Sequence, residues 1–363
     1  MRTRGTIRLA TRGSDLALRQ AATVQSALED QRYEVELVTV ETEGDKIRDE
    51  LIQNLGKTGA FTRTLDEKVL SGDVDAAVHS MKDMPTEFPD DLVVAAVPER
   101  GPANDVLVTP DGGSIDDLEP GSVVGTSSLR RGAQLRHHRD DIEVEPIRGN
   151  VDTRIEKVLA PALQAEHERR SEADKERKGA TGEDDFDPEF DQNVDEWFDG
   201  LPEIEKRALG REIETEYDAL VLAEAGLRRI GLDHHVEFEP LPTDGFVPAA
   251  GQGALAVTAR DGEVAEALYG VLDHPLSRVE TTVERTVLST LNGGCIAPIG
   301  VYGQLQGEYV RTAVQVFHPE GDGVVHERRD IPVETHLKAA TAFAEDLAEK
   351  GAAEYVAAAR DDE

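Results

Sequence analysis

The chain has 363 residues, and 74 aspartates and glutamates against 39 lysines and arginines give it a net charge of −35. So large a negative charge argues against nucleic acid or an anionic membrane as a partner, because either polyanion would be repelled. The length predicts two or three domains, since single hydrophobic cores usually stop growing at about 250 residues. The acidity favours a protein from a halophilic source, because a Debye length of about 3 Å in 1 M salt screens carboxylate repulsion.

Cysteine usage and the N-terminus indicate where the protein works. The one cysteine, Cys295, excludes an intrachain disulfide framework and a multi-cysteine metal site. Residues 1–10 lack the apolar region of a signal peptide, and no apolar run approaches the roughly 20 residues needed to span a bilayer. We therefore expect a cytoplasmic protein, and a monomer, because no exposed apolar helix stands out.

Strand-like and helix-like patterns alternate through the first half of the chain, which favours a parallel-type α/β sheet. The first run predicts strands at 7–10, 35–40, 76–78 and 92–97 and helices at 16–28 and 61–70. A second run predicts strands at 106–108, 123–124 and 142–147 and helices at 129–136 and 151–159. The repetition predicts two similarly built lobes.

Between about residues 163 and 214 the pattern gives way to a segment crowded with charged residues. Such a composition buries too little apolar surface to offset its ordering entropy, so we expect a mobile surface insertion. An exception is a small apolar group that could dock locally, formed by Trp197, Phe198, Leu201 and Ile204.

Regular pattern resumes at residues 217–227, and a further patterned region begins after Pro275. Apolar residues at 279, 283, 287, 288 and 291 predict a helix, and strands and a helix at about 334–349 follow it. This part of the chain is predicted to be a separate α+β domain. Gly293-Gly294-Cys295 forms the turn after its first helix, and a thiol that two glycines leave uncovered is reachable for a covalent group. The alternative is that Cys295 is simply a small buried hydrophobe.

His79 to Pro85 (His-Ser-Met-Lys-Asp-Met-Pro) follows the strand at 76–78, at the carboxyl end where open α/β sheets bind ligands. Asp83 at that position could hold a cationic group, such as a departing ammonium, and manage its proton. The alternative is that Lys82 and Asp83 are an ordinary solvated turn.

Three junctions between a strand and a helix carry arginine and hydroxyl side chains. They are Ala10 to Ser14, Gly125 to Arg131, and Arg148 to Arg154. Free backbone N–H groups at a helix start attract anions, and arginine adds fixed positive charge. One such arginine is usually only a solvated side chain, but three junctions in so acidic a protein predict a ligand with several carboxylates or phosphates. No glycine-rich nucleotide motif occurs at these junctions.

These segments, together with Leu222 to Gly231, Gly251 to Ala254 and Gly293 to Pro298, resemble the porphobilinogen deaminase family along nearly the whole chain. The resemblance implies two lobes of the type II periplasmic-binding-protein kind and a smaller α+β C-terminal domain. The implied limits are 1–100 with 254–271 for the first lobe, 105–247 for the second with its insertion at about 163–214, and 276–363 for the third. It further implies a transferase that condenses four porphobilinogen molecules, with loss of ammonia, on a covalent dipyrromethane cofactor and releases hydroxymethylbilane.

The resemblance also assigns roles to individual residues. Cys295 would hold the dipyrromethane as a thioether, and Asp83 would contact pyrrole nitrogens and assist deamination and bond formation. A set of polar side chains would bind the acetate and propionate groups of cofactor and substrate: Arg12, Ser14, Lys82, Thr126, Ser128, Arg130, Arg131, Arg148, Arg154 and Arg229.

Two departures from the family are visible. The first is the insertion at about 163–214. The second lies in a first-lobe loop, where the family often has Gly-Gly-Lys-Gly and this chain has Gly56-Lys57-Thr58-Gly59. The lysine is displaced by one position, while Phe61 is in place.

Two other classes of protein are alternatives to this interpretation. A non-catalytic anion-binding protein with the same two lobes would need neither Cys295 nor the third domain, and it should carry an export signal. A cysteine hydrolase would need a histidine near Cys295. The nearest in sequence are His274 and His318, and neither lies in a convincing motif.

Overall fold

The computed structural model describes residues 3–42, 62–179, 189–294, 297–319 and 323–361. Within these ranges the strands form two five-stranded sheets and one three-stranded sheet. No helix of this part of the chain is long and apolar enough to cross a bilayer. Strands and helices are numbered below in chain order.

The first sheet has the strand order β2-β1-β3-β10-β4. Its strands are β1 (Gly5–Arg12), β2 (Tyr33–Val40), β3 (Ala76–Ser80), β4 (Leu92–Ala96) and β10 (Leu255–Arg260), and its helices are α1 (Asp15–Asp30), α2 (Arg63–Ser71) and α8 (Glu263–Leu272). β1 is parallel to β2 and β3, whereas β10 runs antiparallel between β3 and β4. The predicted parallel-type sheet is therefore wrong in one respect: the sheet is mixed, because β10 returns from the other lobe.

The second sheet repeats this plan with the order β7-β6-β8-β5-β9. Its strands are β5 (Asp105–Val108), β6 (Val123–Gly125), β7 (Glu143–Glu145), β8 (Ala219–Ala223) and β9 (Glu239–Pro240), and its helices are α3 (Leu129–His138), α4 (Val151–Gly179), α5 (Val194–Gly200), α6 (Glu203–Leu209) and α7 (Glu224–Arg229). β6 is parallel to β7 and β8, and β5 is the antiparallel strand. The two sheets therefore correspond strand by strand: β2, β1, β3, β10 and β4 of the first lobe match β7, β6, β8, β5 and β9 of the second. In each sheet the fourth strand, β10 or β5, follows the chain's crossing from the other lobe. This correspondence confirms two similarly built lobes.

The expectation of a mobile insertion is wrong for the described residues of the 163–214 segment, which are largely helical. α4 does not end at residue 159 but continues to Gly179, and α5 and α6 pack on it. Ile204 and Ala208 of α6 are buried in the core of the second lobe.

Composition misled the prediction because the charged side chains of this segment are paired. Buried Glu156 binds Arg207 at 3.0 Å and also accepts a hydrogen bond from Arg211. The guanidinium of Arg170 lies 4.2 Å from the ring centre of Phe190 and 5.1 Å from that of Trp197. Such pairs offset part of the conformational entropy that the segment loses when it becomes ordered. The composition alone does not show that the charges are paired.

The third sheet belongs to an α+β domain at the C-terminal end of the described chain. Its strands are antiparallel, β11 (Ile299–Gln306), β12 (Tyr309–Phe317) and β13 (Val324–Pro332), and its helices are α9 (Pro275–Thr290), α10 (His336–Leu347) and α11 (Ala353–Asp361). Val283 and Val287 of α9 pack with Val314 of β12 and Phe343 of α10. This arrangement places the end of α9, and the turn after it, beside the two lobes.

The two crossover segments between the lobes touch each other at Gly253. Its φ is +84°, and a Cβ there would lie 2.6 Å from the carbonyl oxygens of both Gly101 and Pro102, so only glycine fits. Gln252 next to it donates from Nε2 to the Ala103 carbonyl oxygen at 2.6 Å. The chain is an α/β protein with two similarly built lobes and a smaller α+β domain.

Candidate active site

The first lobe contributes a single helical turn, Met81–Asp83, that follows β3 directly. Met81 and Met84 are buried on either side of the turn and anchor it, while Lys82 is half-buried and Asp83 is exposed. Alternation of apolar and charged residues therefore directs the two charged side chains outward from the carboxyl edge of the sheet.

Lys82 lies close to the charges of the second lobe. Its pKa is lowered, first because burial removes the ammonium from water and then because Arg130 and Arg131 repel it, while Asp83 acts in the opposite direction. Lys82 and Arg130 also line the same cavity, so the carboxyl edges of the two sheets face each other at this point.

The second lobe presents two buried arginines at the start of α3. Nη1 of Arg130 donates to Asp105 at 2.6 Å, and Nε of Arg131 donates to the other carboxylate oxygen at 2.8 Å. Gln252 adds a hydrogen bond to Asp105 at 2.9 Å. Burial alone would raise the pKa of Asp105, but the two arginines outweigh it and hold that pKa far below its usual range. The carboxylate is therefore charged, and the arginines are fixed in place.

A cavity of about 750 Å³ lies between the lobes and the third domain. Two predicted residues from each lobe line it: Lys82 and Asp83 from the first, and Ser128 and Arg130 from the second. From the third domain it is lined by Gly293, Gly294, Ala297 and Arg360. The cavity is large enough for a multi-ring ligand and carries cationic groups suited to carboxylates.

The other predicted binding residues are not among the described residues that line the cavity, and Arg12, Ser14 and Thr126 among them lie at or directly after strand ends. Ser14 caps α1 by accepting a hydrogen bond from the Ala17 amide at 3.3 Å, and Arg12 is the last residue of β1. Thr126 is buried directly after β6. Arg229 donates to the Gly253 carbonyl oxygen at 2.5 Å, which places it at the crossover.

Arg148 and Arg154 flank the start of α4, and Arg148 is exposed. Arg154 donates from Nε to the Gly149 carbonyl oxygen at 2.8 Å. Burial, with a smaller contribution from the charge of Arg131, lowers the pKa of Arg154 to about 10.

Three residues singled out in the sequence lie outside the described residues, and the two histidines considered for a hydrolase have structural roles. Cys295, Lys57 and Phe61 are outside the described residues, although Gly294 and Ala297 on either side of the Cys295 segment line the cavity. The histidines of the hydrolase alternative are used elsewhere. His274 caps α9, accepting a hydrogen bond from the Ser277 amide at 3.4 Å, and His318 packs its ring edge-on against Tyr355.

Three residues of the site escaped the sequence reasoning. Asp105 reads as the polar first residue of an apolar strand, and only the antiparallel direction of β5 brings it to the arginines. Arg285 of α9 donates to the carbonyl oxygens of Met81 at 3.3 Å and Met84 at 3.5 Å, so the third domain holds the Asp83 turn. Arg360 lies in no motif, and sequence carries no signal for it.

Comparison with known proteins decides the family. The family model described as "Porphobilinogen deaminase, dipyromethane cofactor binding domain" matches residues 7–166 and 204–267, and "Porphobilinogen deaminase, C-terminal domain" matches residues 279–351. The chain belongs to the porphobilinogen deaminase family. The unmatched residues 167–203 lie within the predicted insertion.

Relatives named for the same activity cover almost the whole chain. A probable porphobilinogen deaminase of Halobacterium salinarum is 55% identical over 98% of both chains, and one of Methanococcoides burtonii is 35% identical over 96% of this chain and 95% of its own. A solved structure of the methionine-binding protein MetQ is similar with a TM-score of 0.34 and 13% identity, over 73% of this chain and 89% of that one.

Membership of the porphobilinogen deaminase family carries the function with it. The protein is a transferase of porphyrin and heme biosynthesis that condenses porphobilinogen, with loss of ammonia, into hydroxymethylbilane. It contains the domain that binds the dipyrromethane cofactor. A non-catalytic anion-binding protein of the same fold is not favoured.

Proposed function

We propose that the cavity between the two lobes and the third domain is where the deaminase reaction takes place, with the dipyrromethane attached to Cys295. The observation that carries this proposal is that residues from both lobes and from the third domain line the same cavity. Lys82 and Asp83 from the first lobe, Arg130 from the second, and Gly294, the residue before Cys295, line one cavity of about 750 Å³.

The residues present fit the cofactor. A dipyrromethane carries several carboxylates, and the cavity offers cationic groups and the hydroxyl of Ser128. A Cβ at Gly293 would lie 2.6 Å from Ile299 Cδ1, whereas one at Gly294 would meet nothing within 4 Å, so the chain is tightly packed before the attachment segment and open beside it. When bound, the cofactor supplies the pyrrole carbon to which porphobilinogen is added.

Asp83 has the chemical role in this proposal. Its carboxylate is exposed at the cavity wall, on a turn whose backbone is held by buried methionines and by Arg285. Loss of ammonia from porphobilinogen leaves a positively charged fragment, and a fixed negative charge stabilises it most at that stage. The same carboxylate can accept the proton that the new bond releases.

The cationic side chains bind the acetate and propionate groups in this proposal. Asp105 and Gln252 hold Arg130 and Arg131 rigidly, so binding a carboxylate requires little reorganisation. The remaining members extend the binding surface along the sheet edges: Arg12, Ser14, Thr126, Arg148, Arg154 and Arg229. We also propose a cytoplasmic monomer from a halophilic organism, which the net charge of −35 supports.

Replacing the proposed attachment residue tests the assignment. Cys295→Ser should give a folded protein whose intact mass lacks the dipyrromethane adduct, because a serine hydroxyl is a far weaker nucleophile than a thiolate. The unsubstituted protein, prepared in parallel, should carry the adduct. A Cys295→Ser protein that retains it would contradict the assignment.

A further inference from the structure

Arg360, near the end of α11, reaches the cavity from a part of the chain that the family model does not match. The C-terminal match ends at residue 351, whereas Arg360 lines the cavity together with Gly293, Gly294 and Arg130. The C-terminal helix therefore contributes a cation beside the loop that leads to Cys295.

The position of Arg360 is set by the core of the third domain. Val356 and Ala359 of the same helix are buried in that core, against residues of α9, α10 and the third sheet. Nη2 of Arg360 donates to the carbonyl oxygen of Asn292 at 2.5 Å, and Asn292, with a φ of +52°, directly precedes Gly293 and Gly294. The guanidinium is thus tied to the residues that directly precede Cys295 in the sequence.

Arg360 differs from the other arginines of the cavity in its charge balance. Arg63 is paired with Glu67 at 3.0 Å, and Arg130 with Asp105 at 2.6 Å. Within the described part of the chain, Arg360 has the Asn292 carbonyl oxygen as its hydrogen-bond acceptor and no carboxylate partner. A guanidinium has five N–H donors in a planar fork, so four remain for a carboxylate.

We propose that Arg360 binds a carboxylate of the group carried by Cys295, an acetate or propionate of the dipyrromethane, and so positions that group at its attachment end. This inference rests on the proposed function, because it requires the adduct to be at Cys295. Since Arg360 is exposed, its contribution is modest and depends on salt.

The rate of cofactor attachment tests this role. Protein produced without cofactor is incubated with porphobilinogen, and the adduct is followed by intact mass at several KCl concentrations, starting from the lowest at which the protein stays folded. Arg360→Gln should slow adduct formation about threefold to fivefold at low salt, with a smaller difference at high salt. Arg360→Lys should fall between Arg360→Gln and the unsubstituted protein, because it keeps the charge without the fork.

Lys338→Gln provides the control, since it removes one exposed positive charge from α10 of the same domain. It should form the adduct at the unsubstituted rate. Equal rates for Arg360→Gln and Lys338→Gln, with melting temperatures unchanged, would overturn the role of Arg360 while leaving Cys295 as the anchor. An unsubstituted protein that gains no adduct at Cys295 would overturn the proposed function and this inference with it.

Discussion

The two lobes present their charges to the cavity in opposite ways. Arg130 and Arg131 of the second lobe are buried and share one carboxylate, that of Asp105. Asp83 of the first lobe is exposed on a single helical turn. A buried, fully paired group is rigid but loses much when one partner is removed, whereas an exposed group depends little on its neighbours. The comparison therefore contrasts a rigid, fully paired cluster in the second lobe with an exposed charge at the cavity wall in the first.

Removing the shared carboxylate should produce the largest effect on stability. Asp105→Asn leaves two buried arginines without their negative partner, so we expect the free energy of unfolding to fall by about 3–5 kcal/mol. Chemical denaturation measures this loss. Asp141→Asn, which breaks a partly exposed pair with Arg139, is the control and should cost at most about 1 kcal/mol.

The same carboxylate predicts a pH dependence. The folded-state pKa of Asp105 is lowered, so its contribution to stability is complete above the unfolded value, about 3.9, and is lost only as the pH falls toward the lower folded value. Asp105→Asn should remove that contribution. A variant as stable as the unsubstituted protein at pH 5 would show that the second lobe does not depend on its buried charges.

Replacing the exposed carboxylate should act on turnover rather than on stability. Asp83→Asn keeps the shape but removes the charge, and we expect kcat to fall by about 10²-fold or more. Because Asp83 is exposed, the melting temperature should hardly change. Glu87→Gln, at another exposed acid that lines the cavity, should retain near-normal kcat. Near-normal turnover of Asp83→Asn would refute the chemical role of the first lobe.

Shortening the insertion tests how far the second lobe depends on it. Replacing residues 163–214 with a Gly/Ser connection removes buried Ile204 and Ala208, and we expect the melting temperature to fall by about 5–10 °C. Closing the loop itself costs little, about 0.6 kcal/mol per doubling of its length. Replacing only residues 167–203 keeps Ile204 and Ala208 and should lower the melting temperature less. Equal melting temperatures for both deletions would show that α6 does not stabilise the lobe.

The smallest expected effect concerns Lys82. Its pKa is lowered, so its ammonium loses charge at a lower pH than an ordinary lysine, and KM for porphobilinogen should rise severalfold on the alkaline side. Arginine stays charged throughout, so Lys82→Arg should move that rise to higher pH. KM measured between pH 7 and 10 checks this, with Lys338→Arg as the control. Identical profiles would show that Lys82 does not bind substrate as a cation.

The sequence predicted the strands and helices and the carboxyl edge of each sheet where the site residues lie. It did not predict the contacts between side chains of different elements. β3 and the turn with Asp83, and β6 with Ser128, follow from local apolar periodicity and capping residues. The pairing of Asp105 with Arg130 depends on the antiparallel return of β5, which no local pattern encodes. The extent of α4 was missed because composition counts charges without showing that they pair.

The position of β10 has a consequence for how the chain folds. Leu255–Arg260 is the fourth of five strands across the first sheet, between β3 and β4, yet it follows the whole second lobe in the sequence. On a ribosome, the first lobe therefore remains without this inner strand until late in synthesis, while the strands of the second sheet, Asp105 to Pro240, have all emerged by then. Such non-local pairing slows folding and leaves strand edges open in the meantime. We expect the second lobe to gain protection from hydrogen exchange before the first.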